Sequence, residues 1–175
     1  MVSRSPGRHL RARSPGHRPR SGVPDRHRLA AACGSSQPAI DQAAARVEII
    51  HHYQTLFNLS DPSVEPKLAV VENGGGLRAA VTEALGTSLA ASAAGATVHR
   101  VTFLSSSACT DASEPSPCAK VVYDILASNG TALQAGAAGY AVLVGGKWLV
   151  AKNTVCGLFQ LLYTTEGRTG TPPGC

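Results

Sequence analysis

The spacing of apolar residues divides the chain into a helical part and a sheet part. Between residues 41 and about 59 the apolar side chains recur at the spacing of one helix face, which predicts an amphipathic helix. That face consists of Ile49, Ile50, Tyr53, Leu56 and Phe57. A short second helix is expected over 66–71 and a third, alanine-rich helix over 77–92, with a glycine-rich turn over 73–76 between them.

From residue 96 the pattern changes to the two-residue period of β-strands. His99, Val101 and Phe103 share one face of the first strand. Three further strands and a final apolar helix are expected over 120–127, 139–144, 147–152 and 155–163. Asn153 or Thr154 is the expected N-cap of that helix. The pattern predicts an α+β fold, in which N-terminal helices pack on a curved four-stranded antiparallel sheet and a short helix follows.

The first 39 residues differ in composition from the rest of the chain. Eight Arg against the single Asp25 give this tail a charge of +7, while residues 40–175 carry eight basic and ten acidic residues, so that the overall +5 belongs to the tail. The tail is rich in Arg, Pro, Ser and Gly and is predicted to be disordered. A nucleic-acid-binding arm is the alternative, but the tail has no aromatic residues to stack on bases, so no nucleic-acid partner is expected. We therefore predict a disordered tail over 1–39 and a single domain over 40–175.

The end of the tail resembles the lipid-attachment box of bacterial lipoproteins. The run LAAAC over 29–33 ends in Cys33 and is followed by Gly-Ser-Ser, but polar residues over 24–28 replace the roughly 7–15 apolar residues that normally precede such a box. We expect that the residues before about Leu29 come from a misplaced start or a shifted reading frame, and that a lipid on Cys33 tethers the protein to the membrane surface. The alternative is an ordinary linker cysteine. No apolar run approaches the length of a membrane span.

The predicted domain contains four cysteines, which allow three pairings. Cys109 and Cys118 lie at the two ends of a polar connection between the first two strands, and Cys156 could then hold the C-terminal Cys175. We favour these pairs, whose loops are worth about 2.7 and about 3.3 kcal/mol by the loop-entropy relation. Such bridges require an oxidising compartment, which places the protein outside the cytoplasm. A zinc site is the alternative, but close Cys-x-x-Cys spacing and a nearby His pair are missing.

Three helices followed by a four-stranded antiparallel meander resemble the nuclear-transport-factor-2-like, or cystatin-like, cone fold. Several segments also resemble the actinobacterial low-molecular-weight secreted antigen family. They are YQTLFNL over 53–59, KLAVVENG over 67–74, VVYDIL over 121–126, GYAVLV over 139–144 and KWLVAK over 147–152, followed by Cys156. The resemblance spans residues 41–159 and implies an exported or lipid-anchored envelope protein. The family has no established activity, so the resemblance supplies no catalytic residue.

The favoured function is a non-catalytic binding or accessory module of the cell envelope. The mouth of the cone, between sheet and helices, is its expected pocket, because apolar cavities with a few polar groups are the usual ligand sites. Tyr53, Tyr123, Tyr140 and Trp148 are the candidate pocket walls, since each has an apolar body and a polar tip. Ordinary core packing is the alternative for all four. The expected partner is a small apolar ligand or an envelope protein, and a structural domain that docks through an apolar patch is a further possibility.

A small enzyme similar to polyketide cyclases and isomerases is the alternative from another class. It needs an acid and a base inside the cone, for which His99 and Asp124 are the only plausible pair. Asp124 is expected to point outward if Tyr123 faces the core. No metal or cofactor is expected, because the adjacent His51 and His52 point about 100° apart on a helix. The glycine-rich turn also lacks the Gly-Lys-Ser/Thr ending of a phosphate loop.

Overall fold

The computed structural model describes residues 40–105, 109 and 117–175. It contains five helices, a single 3₁₀ turn and four strands within these residues. The helices are α1 (Gln42–Phe57), α2 (Val64–Ala69), α3 (Arg78–Leu85), α4 (Ser88–Ser92) and α5 (Lys152–Thr165), with the 3₁₀ turn over Gly74–Leu77. The strands are β1 (Ala93–Leu104), β2 (Cys118–Ala127), β3 (Ala132–Val144) and β4 (Lys147–Val150). The predicted disordered tail and the lipid-attachment box at 29–33 lie outside the described residues.

The four strands form one antiparallel sheet in the order β1-β2-β3-β4, which confirms the predicted fold class. The sheet is curled. The rings of Phe103 on β1 and Trp148 on β4 meet edge to face, with their centroids 5.4 Å apart. The first and last strands therefore approach each other although two strands lie between them. This half-barrel agrees in outline with the expected cone.

Helix α1 lies inside the curve of the sheet. Asp41 caps its N-terminus, since the side-chain Oδ1 accepts hydrogen bonds from the backbone N–H groups of Ala43 and Ala44 at 3.0 and 3.2 Å. Its apolar face meets the inner face of β2, where the rings of Tyr53 and Tyr123 pack edge to face with centroids 4.9 Å apart. The predicted apolar face of this helix is thus the one that forms the core.

Two other side chains of α1 reach the two edges of the curled sheet. Arg46 donates a hydrogen bond to the carbonyl oxygen of Val101 on β1, and its guanidinium lies 5.2 Å from the centre of the Phe103 ring. On the opposite side, Nδ1 of His52 is hydrogen-bonded to the carbonyl oxygen of Trp148 on β4. His51 is exposed to solvent, whereas His52 is partly buried against β4.

The short edge strand β4 is covered by the segment that follows α2. The backbone of residues 70–72 runs parallel to it, with Val150 donating to the carbonyl of Val70 and Glu72 donating to the carbonyl of Val150, both at 2.9 Å. The buried carboxylate of Glu72 then accepts a hydrogen bond from the backbone N–H of Lys152, the first residue of α5, at 3.1 Å. A carboxylate from a distant segment therefore caps α5.

The predicted cap of α5 was wrong. The N-cap position is Ala151, while Thr154 accepts a hydrogen bond from the backbone N–H of Tyr140 at 2.9 Å. The predicted third helix is also divided, because Gly86 ends α3 and the hydroxyl of Thr87 accepts the N–H of Ala90 to begin α4. Strand β3 starts at residue 132 rather than 139, through an alanine-rich stretch that carries no clear alternation.

Candidate functional site

A cavity of about 100 Å³ opens between the helices and the ends of the strands. Every helix contributes to its wall, together with one residue from each of the first three strands. The lining residues are Leu56, Phe57, Leu59, Lys67, Val81, Ala84, Leu85, Ala90, Ala93, Ile125, Gln134, Val155, Leu158, Phe159, Leu161 and Leu162. Its position agrees with the expected pocket between sheet and helices. Its wall is aliphatic and aromatic except at two residues, so that its surface is almost wholly apolar.

Lys67 and Gln134 are those two polar residues, and they differ in burial. Gln134 is partly buried on β3, whereas Lys67 is only 2 % exposed. The ammonium of Lys67 donates hydrogen bonds to the main-chain carbonyl oxygens of Asp61 and Ser63, at 2.6 and 3.2 Å. Burial lowers the pKa of Lys67 by disfavouring the charged form, and the nearby negative charge of Asp61 opposes this shift in part.

The sequence pattern alone predicts no role for Lys67. The available signal is weak, because a lysine beside the apolar run Leu68-Ala69-Val70-Val71 is usually read as the polar face of a helix. Its burial depends on the turn over 61–63, whose carbonyls fold back over the ammonium. Only the tertiary structure shows this arrangement.

An exposed leucine forms part of the cavity wall. Leu161 on α5 lines the cavity and is 50 % exposed. Contact with a further apolar molecule would remove this exposed apolar surface from water, which is favourable. The cavity therefore opens onto an apolar rim.

The four predicted pocket walls lie elsewhere. Three of them, Tyr53, Tyr123 and Trp148, are at most 3 % exposed and lie in the core around α1. Tyr140 packs on the opposite face of the sheet beside Cys118 and the buried Val142. None of the four is among the residues that line the cavity. Burial raises the pKa of Tyr123 to about 12 and raises that of Tyr53 well above its usual range. Their hydroxyls therefore stay protonated at physiological pH.

His99 and Asp124 do come together, but not inside the cone. A β-bulge between Val98 and Arg100 turns His99 away from the face of Val101, which corrects the predicted alternation of β1. Nε2 of His99 lies 2.8 Å from Oδ2 of Asp124. Because Asp124 directly follows the buried Tyr123, the pair lies on the outer face of the sheet, as expected for Asp124.

The carboxylate of Asp124 has a second partner on the neighbouring strand. Its Oδ1 accepts a hydrogen bond from the backbone N–H of Gly136 at 2.7 Å, and Gly136 has a positive φ of 64°. This bond, followed by the hydrogen bond and the charge of His99, lowers the pKa of Asp124 below its ordinary value of 3.8. The pair thus joins three strands on the outer face.

The lowered pKa of Asp124 predicts an acid-dependent stability difference. A carboxyl group whose pKa is lower in the folded than in the unfolded state stabilises the fold above the unfolded pKa, and this stabilisation is lost as the pH falls through the folded pKa. We expect D124N to unfold at a lower temperature than the wild type at pH 7, with the two values converging as the pH falls from the ordinary pKa of 3.8 through the lowered pKa of Asp124. Thermal unfolding of both proteins between pH 2 and 7 measures this; a difference that is independent of pH would contradict the assignment.

Both predicted disulfides are present. Cys109 is bonded to Cys118, and Cys156 in α5 is bonded to Cys175 at the end of the chain. The second bond holds the C-terminal segment against the domain, where Pro172 is buried. The predicted lipidation site Cys33 lies outside the described residues.

Within the described residues, no three His, Cys, Asp or Glu side chains come together as a metal site. Over the same residues, no helix combines the length and the hydrophobicity needed to cross a bilayer.

A family model described as the low molecular weight antigen MTB12, C-terminal domain, matches residues 42–166. The match covers α1 through α5 and includes every residue that lines the cavity. No curated protein and no solved structure matches the chain.

Proposed function

From the fact that this chain belongs to the low molecular weight antigen MTB12 C-terminal domain family, we propose that it acts outside the cytoplasm as a non-catalytic accessory protein that binds a small apolar ligand. The observation that carries this proposal is the open cavity of about 100 Å³ with its almost wholly apolar wall. A cavity of this kind gains free energy chiefly by removing apolar surface from water.

The size of the cavity limits what it can hold. An apolar cavity of about 150 Å³ lined by Leu, Ile and Phe side chains stays dry and binds benzene. The present cavity is somewhat smaller, so it accommodates a small ring or the end of an alkyl chain. A longer chain can leave through the open side past Leu161, which is half exposed. The ligand class proposed is therefore a slender apolar molecule.

The extracytoplasmic location is supported by the family and by the two disulfides. Disulfides persist in oxidising compartments and are rare in the cytosol of mesophiles. We include in the proposal a lipid on Cys33, which the run of small residues before it supports. Mass spectrometry of the protein isolated from its own cell envelope tests this addition, since an acylated Cys33 adds the mass of its lipid, whereas an unmodified or absent Cys33 refutes it.

The absence of catalysis is supported by the position of the acid–base pair. A cyclase-like mechanism needs an acid and a base that face the bound substrate. His99 and Asp124 lie on the outer face of the sheet, whereas the cavity lies on the inner side, where Ile125 contributes to its wall. The polar groups of the wall, Lys67 and Gln134, offer no carboxylate as a base at neutral pH.

Filling the cavity tests the proposed function. Ala84 on α3 lines it, and a phenyl ring at this position is close in size to the empty space. We expect the wild type to bind 1-hexanol, observed as chemical-shift changes of α5 amides in an NMR titration. We expect A84F to weaken this binding at least about tenfold, the size of effect that loss of a few buried methylene contacts produces.

The matched control is A79F on the same helix. Ala79 is exposed and does not line the cavity, so the added phenyl ring stays in solvent. This variant should bind 1-hexanol as the wild type does. Equal binding by A84F and A79F, or no binding by the wild type, would rule out the cavity as the ligand site.

A further inference from the structure

Lys67 carries the sole charge among the residues that line the cavity in the described part of the chain. It is only 2 % exposed, and the rest of the wall is aliphatic or aromatic apart from Gln134. Burial of an ammonium in such surroundings is costly unless the group is paired or hydrogen-bonded. The position therefore needs an explanation that goes beyond a solvated lysine on a helix surface.

The partners of Lys67 satisfy the ammonium only in part. An ammonium has three N–H donors. Two of them are directed at the carbonyl oxygens of Asp61 and Ser63, which are neutral groups. Among the described residues Lys67 takes part in no salt bridge, and the carboxylate of Asp61 instead accepts the backbone N–H of Ser63 at 2.9 Å. One of the three N–H donors is thus left for a further acceptor.

We propose that the ligand of the cavity is a single-chain aliphatic carboxylate, whose alkyl chain lies among the apolar side chains and whose carboxylate binds the ammonium of Lys67. This inference rests on the proposed function, because it names the ligand class for the same cavity. A charge-assisted hydrogen bond between an ammonium and a carboxylate is about twice as strong as a neutral one. It is strengthened further where the surrounding wall excludes water.

The chemistry of the wall favours a carboxylate on an alkyl chain over other anions. A phosphate carries more charge and needs several donors, whereas Lys67 has one left and the remaining wall is apolar except for Gln134. The carboxylate requires a single strong donor and the chain requires an apolar channel, and the two are adjacent here. The open side beside Leu161 lets the chain exceed the length of the cavity.

A purely structural role for Lys67 leads to a different result. If the ammonium only braces the turn over 61–63, the charge of the ligand has no influence on binding. Its removal then lowers stability and affects charged and neutral ligands equally. The two roles are therefore separated by comparing an acid with the alcohol of the same chain length.

The test is an NMR titration of the wild type, K67M and K67R with sodium hexanoate and with 1-hexanol at pH 7. Methionine keeps most of the length of the lysine stem but carries no charge, and arginine keeps the charge. We expect the wild type to bind hexanoate at least about tenfold more tightly than 1-hexanol, the effect of a hydrogen bond to a charged group. K67M should lose this preference while still binding 1-hexanol, and K67R should retain part of it.

K147M is the matched control, because Lys147 is exposed at the start of β4 and does not line the cavity. It should bind both probes as the wild type does. Equal binding of hexanoate and 1-hexanol by the wild type overturns the role of Lys67 but leaves the proposed function standing, whereas failure of both probes to bind overturns both. If K67M does not fold, the affinities of the wild type and K67R for hexanoate and 1-hexanol decide whether Lys67 binds the carboxylate.

Discussion

Replacing Gly74 with alanine is expected to destabilise the domain by about 3 kcal/mol, the upper part of the range for overpacking a buried site. Gly74 begins the 3₁₀ turn and is buried against the end of α2. A Cβ at this position would lie 2.9 Å from the carbonyl carbon of Leu68 and closer still to its oxygen. These are backbone atoms, so the clash cannot be relieved by the rotation of a side chain. Urea unfolding of G74A and the wild type measures the difference in the free energy of unfolding.

The neighbouring glycine provides the control. A Cβ at Gly75 would meet nothing within 4 Å, and the backbone there does not have a positive φ. G75A should therefore change the free energy of unfolding by no more than about 1 kcal/mol, with a small gain expected because alanine restricts the unfolded chain. Equal losses in G74A and G75A would mean that the turn needs flexibility at both residues rather than close approach at Gly74.

The difference between Gly74 and Gly75 also refines the interpretation of the glycine-rich turn. The sequence indicated a flexible turn rather than a phosphate loop, because the Gly-Lys-Ser/Thr ending is missing. The structure assigns distinct roles to the glycines. Gly74 permits contact with α2, whereas a Cβ at Gly75 or Gly76 would meet nothing within 4 Å. A composition-based argument treats the three alike, because it contains no information about which of them approaches another segment.

Local patterns were sufficient for the parts of the fold that depend on neighbouring residues. Helix α1 begins after Asp41 and buries Ile49, Tyr53 and Phe57, as the helical spacing predicted. The β3–β4 hairpin turns at residues 145 and 146, which both have positive φ. In each case the residues that determine the helix or the turn lie within a few positions of one another, so the local sequence pattern is enough to predict it.

Features that depend on distant residues could not be predicted in this way. The bulge at His99 inserts one residue into β1 and moves its side chain to the other face, which a strict two-residue period does not allow for. The cap of α5 comes from Glu72, 80 residues earlier in the chain. Such partners depend on tertiary packing and leave no mark in the local pattern.

The candidate site likewise combines features that the local sequence pattern predicts with features that it does not predict. Periodicity identified inward-facing residues such as Leu56 and Phe57, and both line the cavity. It could not show where packing leaves an open space, because every inward-facing apolar residue has the same pattern whether it fills the core or borders a cavity. For this reason the predicted aromatic walls, Tyr53 and Trp148 among them, belong to the filled core, whereas the cavity lies among leucines and other aliphatic side chains.

Removal of the Cys156–Cys175 disulfide is expected to cost about 3 kcal/mol of the free energy of unfolding, since the bond closes a loop of about 20 residues in the unfolded chain. The folded state gives this bond a further role. It fastens α5 to the C-terminal segment. Arg168 in this segment also contacts both helices: its guanidinium lies 3.9 Å from the centre of the Tyr163 ring on α5 and 3.2 Å from the carboxylate of Glu83 on α3. Urea unfolding of the double variant C156A/C175A measures the loss without leaving an unpaired thiol from this bond.

The double variant C109A/C118A is the control for a general effect of losing a bridge. Its shorter loop of about ten residues predicts a smaller loss, about 2.7 kcal/mol. The two variants should differ in hydrogen exchange: amides of α5 and of residues 166–175 should lose protection in C156A/C175A and keep it in C109A/C118A. Because five of the residues that line the cavity belong to α5, the same variant should also bind 1-hexanol more weakly. Unchanged exchange in α5 would show that its packing, rather than the disulfide, fixes the cavity wall.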